Sequence, residues 1–118
     1  MRIGDSVEVT RAFTLQDLQD YTGLSGHKAP GEQVPEPLIG ALFSYLLGVQ
    51  LPGLGTNYLK QEIRFPATAK VGETLTARVE ITRLRPDKQL VDLSTTCQQT
   101  DGRLIASGRA LVYVGDLI

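Results

Sequence analysis

The stretch LIGALFSYLLGVQL, residues 38–51, carries no charged side chain on any side of a helical wheel. Pro37 precedes it, and a proline suits the first helical position because its missing N–H would be unpaired there in any case. The pattern therefore predicts a helix that is apolar all round, and such a helix is buried on every side or sits in lipid. It is too short to span a bilayer and is interrupted by Gly40, Ser44 and Gly48. The expectation is that something else in the chain wraps it.

The C-terminal half supplies candidate strands. After the turn Pro52–Thr56, residues 57–65 alternate Leu59, Gln61, Ile63 and Phe65 against Tyr58, Lys60, Glu62 and Arg64. Residues 74–84 alternate Leu75, Ala77, Val79 and Ile81 against polar positions. Residues 89–100 place Val91, Leu93, Thr95 and Cys97 on one face, and residues 103–114 place Leu104, Ala106, Ala110, Val112 and Val114 there. Period-two alternation implies a sheet with one buried and one wet face, as in antiparallel sheets. Pro86-Asp87-Lys88 and Asp101-Gly102 read as the turns between these strands.

On the N-terminal side, Val7, Val9 and Phe13 form a first strand. Thr14 and Asp17 have capping-box spacing for a short helix from Leu15 to about Thr22. A loop with Gly26, Pro30, Gly31 and Pro35 follows. The predicted order is strand, short helix, greasy helix, then four antiparallel strands. This is an α+β arrangement in which a curved antiparallel sheet wraps one buried central helix, the hot-dog fold, as a single domain over residues 1–118.

Composition narrows the function classes. The 118 residues are 42% hydrophobic and 21% charged, with a net charge of −1, as in ordinary globular proteins. Lys and Arg are dispersed, so no basic arm exists to neutralise phosphates, and nucleic acid is not an expected partner. One cysteine and one histidine exclude an internal disulfide and argue against a metal site. The N-terminus lacks the apolar core of a signal peptide, so a cytoplasmic setting with no membrane association is the expectation. No cofactor is expected.

Several stretches resemble the MaoC-like, (R)-specific enoyl-CoA hydratase family. ALFSYLLGVQLPGLGTNYLKQEIRF, residues 41–65, is similar to that family's helix, its Leu-Pro-Gly-x-Gly turn and its Tyr-Leu-x-Gln-x-(apolar)-x-Phe strand. VGETLTAR, residues 71–78, resembles a Val-Gly-Asp-x-(apolar)-x-Ala segment, and GDSVEVTRAFTLQDLQDYTGLSG also fits. The resemblance implies addition of water to a trans-2-enoyl thioester, or the reverse dehydration. It also implies an acyl-CoA or acyl-carrier thioester as ligand. Pairing with a second hot-dog subunit, as homodimer or heterodimer, is expected as well, because in the family pairing closes the acyl tunnel.

Family members carry an Asp and a His in the loop motif Gly-Asp-x-Asn-Pro-(apolar)-His. Here the aligned residues are Gly26-His27-Lys28-Ala29-Pro30-Gly31-Glu32. His27 thus stands at the Asp position and Glu32 at the His position, while only Gly26 and Pro30 retain the family type. The following segment, Gln33–Pro37, is much shorter than in relatives. A neutral histidine is a competent base near pH 7, and a desolvated glutamate can hold a proton to donate. His27 and Glu32 are accordingly the catalytic candidates. Pro37 has no N–H, so oxyanion donors would come from the amides of Glu36, Leu38 or Ile39, with Glu36 and Leu38 the chosen pair. Gln61, Tyr58, Asn57 and Gly55 resemble the substrate-binding region. The bland alternatives are that Gln61 is a buried structural amide, that Gly55 serves the turn, that Glu36 complements the helix dipole and that Cys97 is a small core residue.

Three functions fit these residues. The first is a hydratase or dehydratase working through His27 and Glu32. The second is a non-catalytic acyl-CoA or acyl-carrier-binding subunit of a heteromeric hydratase. The third is a thioesterase with Glu32 or Glu36 as base.

Overall fold

The computed structural model describes residues 1–25 and 32–115. The chain forms β1 (Ser6–Ala12), α1 (Leu15–Ser25), α2 (Glu36–Tyr45), β2 (Asn57–Arg64), β3 (Thr74–Arg85), β4 (Leu90–Gln99) and β5 (Leu104–Tyr113). The helix α2 continues through a π-helical turn, Leu46–Gln50. The five strands form one sheet in the order β1-β3-β4-β5-β2, with every pairing antiparallel.

The expected alternation holds through the centre of the sheet. Leu75, Ala77, Val79 and Ile81 of β3, and Val91, Leu93, Thr95 and Cys97 of β4, are all fully buried. They pack beneath Ile39, Leu42, Phe43, Leu46 and Leu47 of the helical segment. The α1 start is a reciprocal capping box. The Asp17 amide donates to Thr14 Oγ1 at 3.1 Å, and the Thr14 amide donates to the Asp17 carboxylate at 2.8 Å. That helix runs to Ser25, three residues past the predicted end at Thr22.

Three expectations are corrected. First, α2 is not covered on every side: Ala41, Ser44, Tyr45, Val49 and Gln50 are exposed. One curved sheet covers one flank of a helix, and the described residues supply no second layer for the other. Second, the inward residue near the start of β5 is Ile105, while Leu104 is 36% exposed. The β4–β5 register shifts between Cys97 and Gln98, pairing Gln98 with Leu104 and leaving Ile105 as the extra residue. Third, β2 shifts register against β5 between Tyr58 and Lys60. Tyr58 lies opposite buried Val112 and Gln61 opposite buried Ala110, so both face the helix. Simple alternation had put them on opposite faces. Leu59, expected inward, is the bulged residue and is 57% exposed.

Candidate functional site at the start of the central helix

The segment that leads into α2 is fastened to the β2–β3 connection by backbone bonds. The Val71 amide donates to the Glu32 carbonyl at 2.9 Å, and the Val34 amide donates to the Ala69 carbonyl at 2.8 Å. Gln33 pairs with Lys70 as an isolated bridge, and Val34 is buried. These contacts fix where α2 begins. Beside its first turn lies a cavity of about 220 Å³, walled by Val34, Pro35, Glu36, Ile39, Phe65 and Ala69 among others. Helix N-terminal amides lack intrahelical partners and carry partial positive charge, so this end suits an oxygen that gains negative charge.

Beyond the cavity, the edge strand β2 approaches α2 at two points: Gly40 faces the Ile63 side chain, and Ser44 is a hydrogen-bond partner of Tyr58. Phe65, Ile63, Gln61 and Tyr58 thus follow one another along the helix-facing side of β2. The Tyr58 hydroxyl is shifted above its ordinary value because burial disfavours the phenolate, a shift that the Ser44 bond opposes.

The candidates named from sequence are distributed as follows. His27 lies outside the described residues. Glu32 is exposed, and the carboxylate that lines the cavity is that of Glu36, itself at the exposed helix start. The Leu38 amide donates to the Pro35 carbonyl at 3.0 Å, which leaves Glu36 as the uncommitted oxyanion donor of the two. Gln61 shares the helix-facing side of β2 yet is exposed, because β2 is the last strand of the sheet and no other described element covers it there. The reading of Gln61 as a buried structural amide is therefore corrected. Asn57 is exposed at the start of β2, opposite Tyr113.

Gly55 is exposed with φ +93°, in the left-handed region that glycine favours, so turn geometry alone accounts for it. Cys97 is a buried core thiol, with its pKa pushed up to about 11 by burial. Phe65 as a wall, and Ser44 as the partner of Tyr58, were not named from the sequence. Ser44 carried a signal, as a polar side chain in an otherwise greasy segment.

Comparison with known proteins sets this geometry in a family, although no family model matches. The (R)-specific enoyl-CoA hydratase of Aeromonas caviae is 45% identical over 75 residues, 64% of this chain, and that stretch spans only 56% of the relative's length. A solved structure, the (R)-hydratase from A. caviae involved in PHA biosynthesis, superposes with a TM-score of 0.89 at 32% identity, covering 97% of both chains. The (R)-specific enoyl-CoA hydratase of Rhodospirillum rubrum is 30% identical over 125 residues, covering 94% of this chain and 86% of the relative. The 3-hydroxybutyryl-CoA dehydratase of Methylorubrum extorquens is 36% identical over 128 residues, covering 97% and 81%. Both alignments run longer than the 118 residues available here, so these relatives carry residues that this chain lacks. The hot-dog architecture, the helix-to-strand block and these identities agree: the chain belongs to the (R)-specific enoyl-CoA hydratase family of MaoC-like proteins.

Proposed function

We propose that the protein is an (R)-specific enoyl-CoA hydratase, equally a 3-hydroxyacyl-CoA dehydratase, that uses His27 and Glu32 where relatives use Asp and His. The observation that carries this reading is the cavity at the α2 N-terminus, in a chain of the hydratase family. A thioester carbonyl placed at the Glu36 amide would lie in that cavity, with Gln61 and Tyr58 farther along the helix-facing side of β2. His27 takes a proton from water, and the water oxygen bonds to C3 of the enoyl group. The C2=C3 electrons move toward the thioester, and the enolate oxygen forms within reach of the Glu36 N–H. Glu32 then delivers its proton to C2. Donors aimed at a forming oxyanion contribute about 10²- to 10³-fold to such reactions.

Hydration of crotonyl-CoA, followed as loss of the enoyl absorbance, tests the pair. His27→Ala and Glu32→Ala are each expected to lower turnover at least a hundredfold. Unchanged rates in both variants would sink the dyad.

A second reading, a non-catalytic acyl-CoA or acyl-carrier-binding subunit, is favoured by the exposure of the Glu32 side chain. It predicts thioester binding without turnover until a catalytic hot-dog subunit is added. A thioesterase using Glu36 as base is the third reading, and release of free CoA from a saturated acyl-CoA identifies it.

Pairing of subunits belongs to the same proposal. Edge strands present unpaired backbone groups that proteins usually cover. Here β2 is an edge, and the apolar side chain of Leu59 on it is 57% exposed. A second hot-dog subunit is the expected cover. Among the described residues no helix is long and apolar enough to cross a membrane, and a cytoplasmic location is part of the proposal.

A further inference from the structure

Gln99 is a polar side chain that packing alone does not explain. It ends β4 on the same face as Val91, Leu93, Thr95 and Cys97, and it is only 9% exposed. A buried amide requires partners, and the Gln99 Nε2 donates to the Glu73 carboxylate. The other oxygen of that carboxylate accepts from the Lys70 backbone amide at 2.6 Å. From the same end of the sheet, the Arg103 guanidinium donates to the Thr68 carbonyl at 3.2 Å. The Arg103 carbonyl accepts from the Gln99 backbone amide at 2.9 Å, which closes the β4–β5 turn. Two side chains at this turn thus grip the β2–β3 connection, Arg103 directly and Gln99 through Glu73.

The gripped connection is the one to which the candidate site is fastened. Phe65, Ala67, Thr68 and Ala69 belong to it and wall the cavity at the start of α2. Gln33 bridges to Lys70, and Val34 bonds to Ala69. The Val71 amide bonds to the carbonyl of Glu32, whose own side chain is exposed and unsupported by the core. A continuous run of hydrogen bonds therefore leads from Gln99 through Glu73 to Lys70, and from the adjoining Val71 to Glu32. Neither Gln99 nor Arg103 lines the cavity.

We infer that Gln99 and Arg103 are positioning residues for hydration. The β4–β5 turn sets where the β2–β3 connection lies, and that connection sets where Glu32 meets the substrate. The inference rests on the reading of Glu32 as the proton donor to C2.

Crotonyl-CoA hydration and backbone hydrogen exchange, measured on the same variants, test it. Gln99→Leu keeps the volume of a buried side chain while removing the donor, and Arg103→Ala alters an exposed side chain. Misplacing a reacting group by about 1 Å can cost about a hundredfold, and the backbone bonds to Gln33, Val34 and Val71 remain in these variants, so each is expected to lower kcat about tenfold with KM little changed. Exchange at the Val34 and Val71 amides should accelerate, while Val79 in the central sheet keeps its protection. Glu73→Gln retains an acceptor for the Lys70 amide and can meet Gln99 amide to amide, so it should keep the wild-type rate, whereas Glu73→Ala should fall as Gln99→Leu does. A merely structural role would instead expose Val79 to exchange in step with the loss of activity. Should Gln99→Leu fail to fold, Arg103→Ala decides. Wild-type kcat in the folded variants, or unchanged exchange at Val34 and Val71, would overturn the inference while the hydratase reading stands. No hydration by the wild-type protein would fail the hydratase reading and take this inference with it.

Discussion

Gly108 on β5 pairs with Ile63 of β2, and a Cβ placed there would collide with the backbone carbonyl of Glu62. Neither strand can give way without losing ladder bonds, so Gly108→Ala is expected to cost about 2 kcal/mol or more in chemical denaturation. Thr95 presents the reverse case. Its hydroxyl is buried with no hydrogen-bond partner among the described residues. Replacing an unsatisfied buried hydroxyl by a methyl of similar shape removes a desolvation cost. Thr95→Val should therefore leave stability unchanged or raise it by about 1 kcal/mol, whereas a marked loss of stability would show that the hydroxyl is satisfied after all. Burial also raises the Cys97 pKa to about 11, so little thiolate exists at neutral pH. A thiol reagent is expected to react with Cys97 only on unfolding, and rapid labelling of the native protein would contradict the core assignment.

At the scale of elements, α1 depends on its cap because it buries so little. The Asp17 carboxyl is held below its ordinary value of 3.8, chiefly by the hydrogen bond from the Thr14 backbone amide. The folded state binds this proton less readily than the unfolded chain does. The contribution of the cap is therefore complete above the unfolded value and is lost as pH falls through the lower folded value. Acid titration followed by circular dichroism should show Asp17→Asn losing part of the pH dependence of stability in that range. Thr14→Ala removes the other half of the box and is expected to cost about 1 kcal/mol at neutral pH.

The capping box was legible because it depends on two side chains three positions apart. The central strands were legible because their alternation is unbroken from Leu75 to Ile81 and from Val91 to Cys97. The register of β2 was not. A bulge at Leu59 depends on how the edge strand meets β5, and period-two counting cannot place an extra residue. That single residue turns Tyr58 toward Ser44.

For the whole molecule, the uncharged segment 38–51 did point to a helix on a curved sheet. The same pattern overstated how much one chain covers, since Ala41, Tyr45 and Val49 stay exposed and sequence composition cannot say whether the cover is intramolecular. The exposed flank together with the β2 edge leads to the expectation of a dimer at about twice the 12.8 kDa chain mass. Light scattering after size exclusion measures this, and a monomer at micromolar concentration would contradict it. The candidate site was legible in position, at the start of the central helix, because the helix-to-strand block fixes the family. Its chemistry was less so: Glu32 lies outside the cavity wall, Glu36 lies within it, and His27 lies outside the described residues.

The central claim is that a thioester held at the start of α2 is hydrated on one face. Its most direct test is incubation of the wild-type protein with crotonyl-CoA and chiral analysis of the product. The account predicts (R)-3-hydroxybutyryl-CoA with no free CoA released. Unconsumed crotonyl-CoA, the (S) product, or liberation of CoA thiol would contradict it.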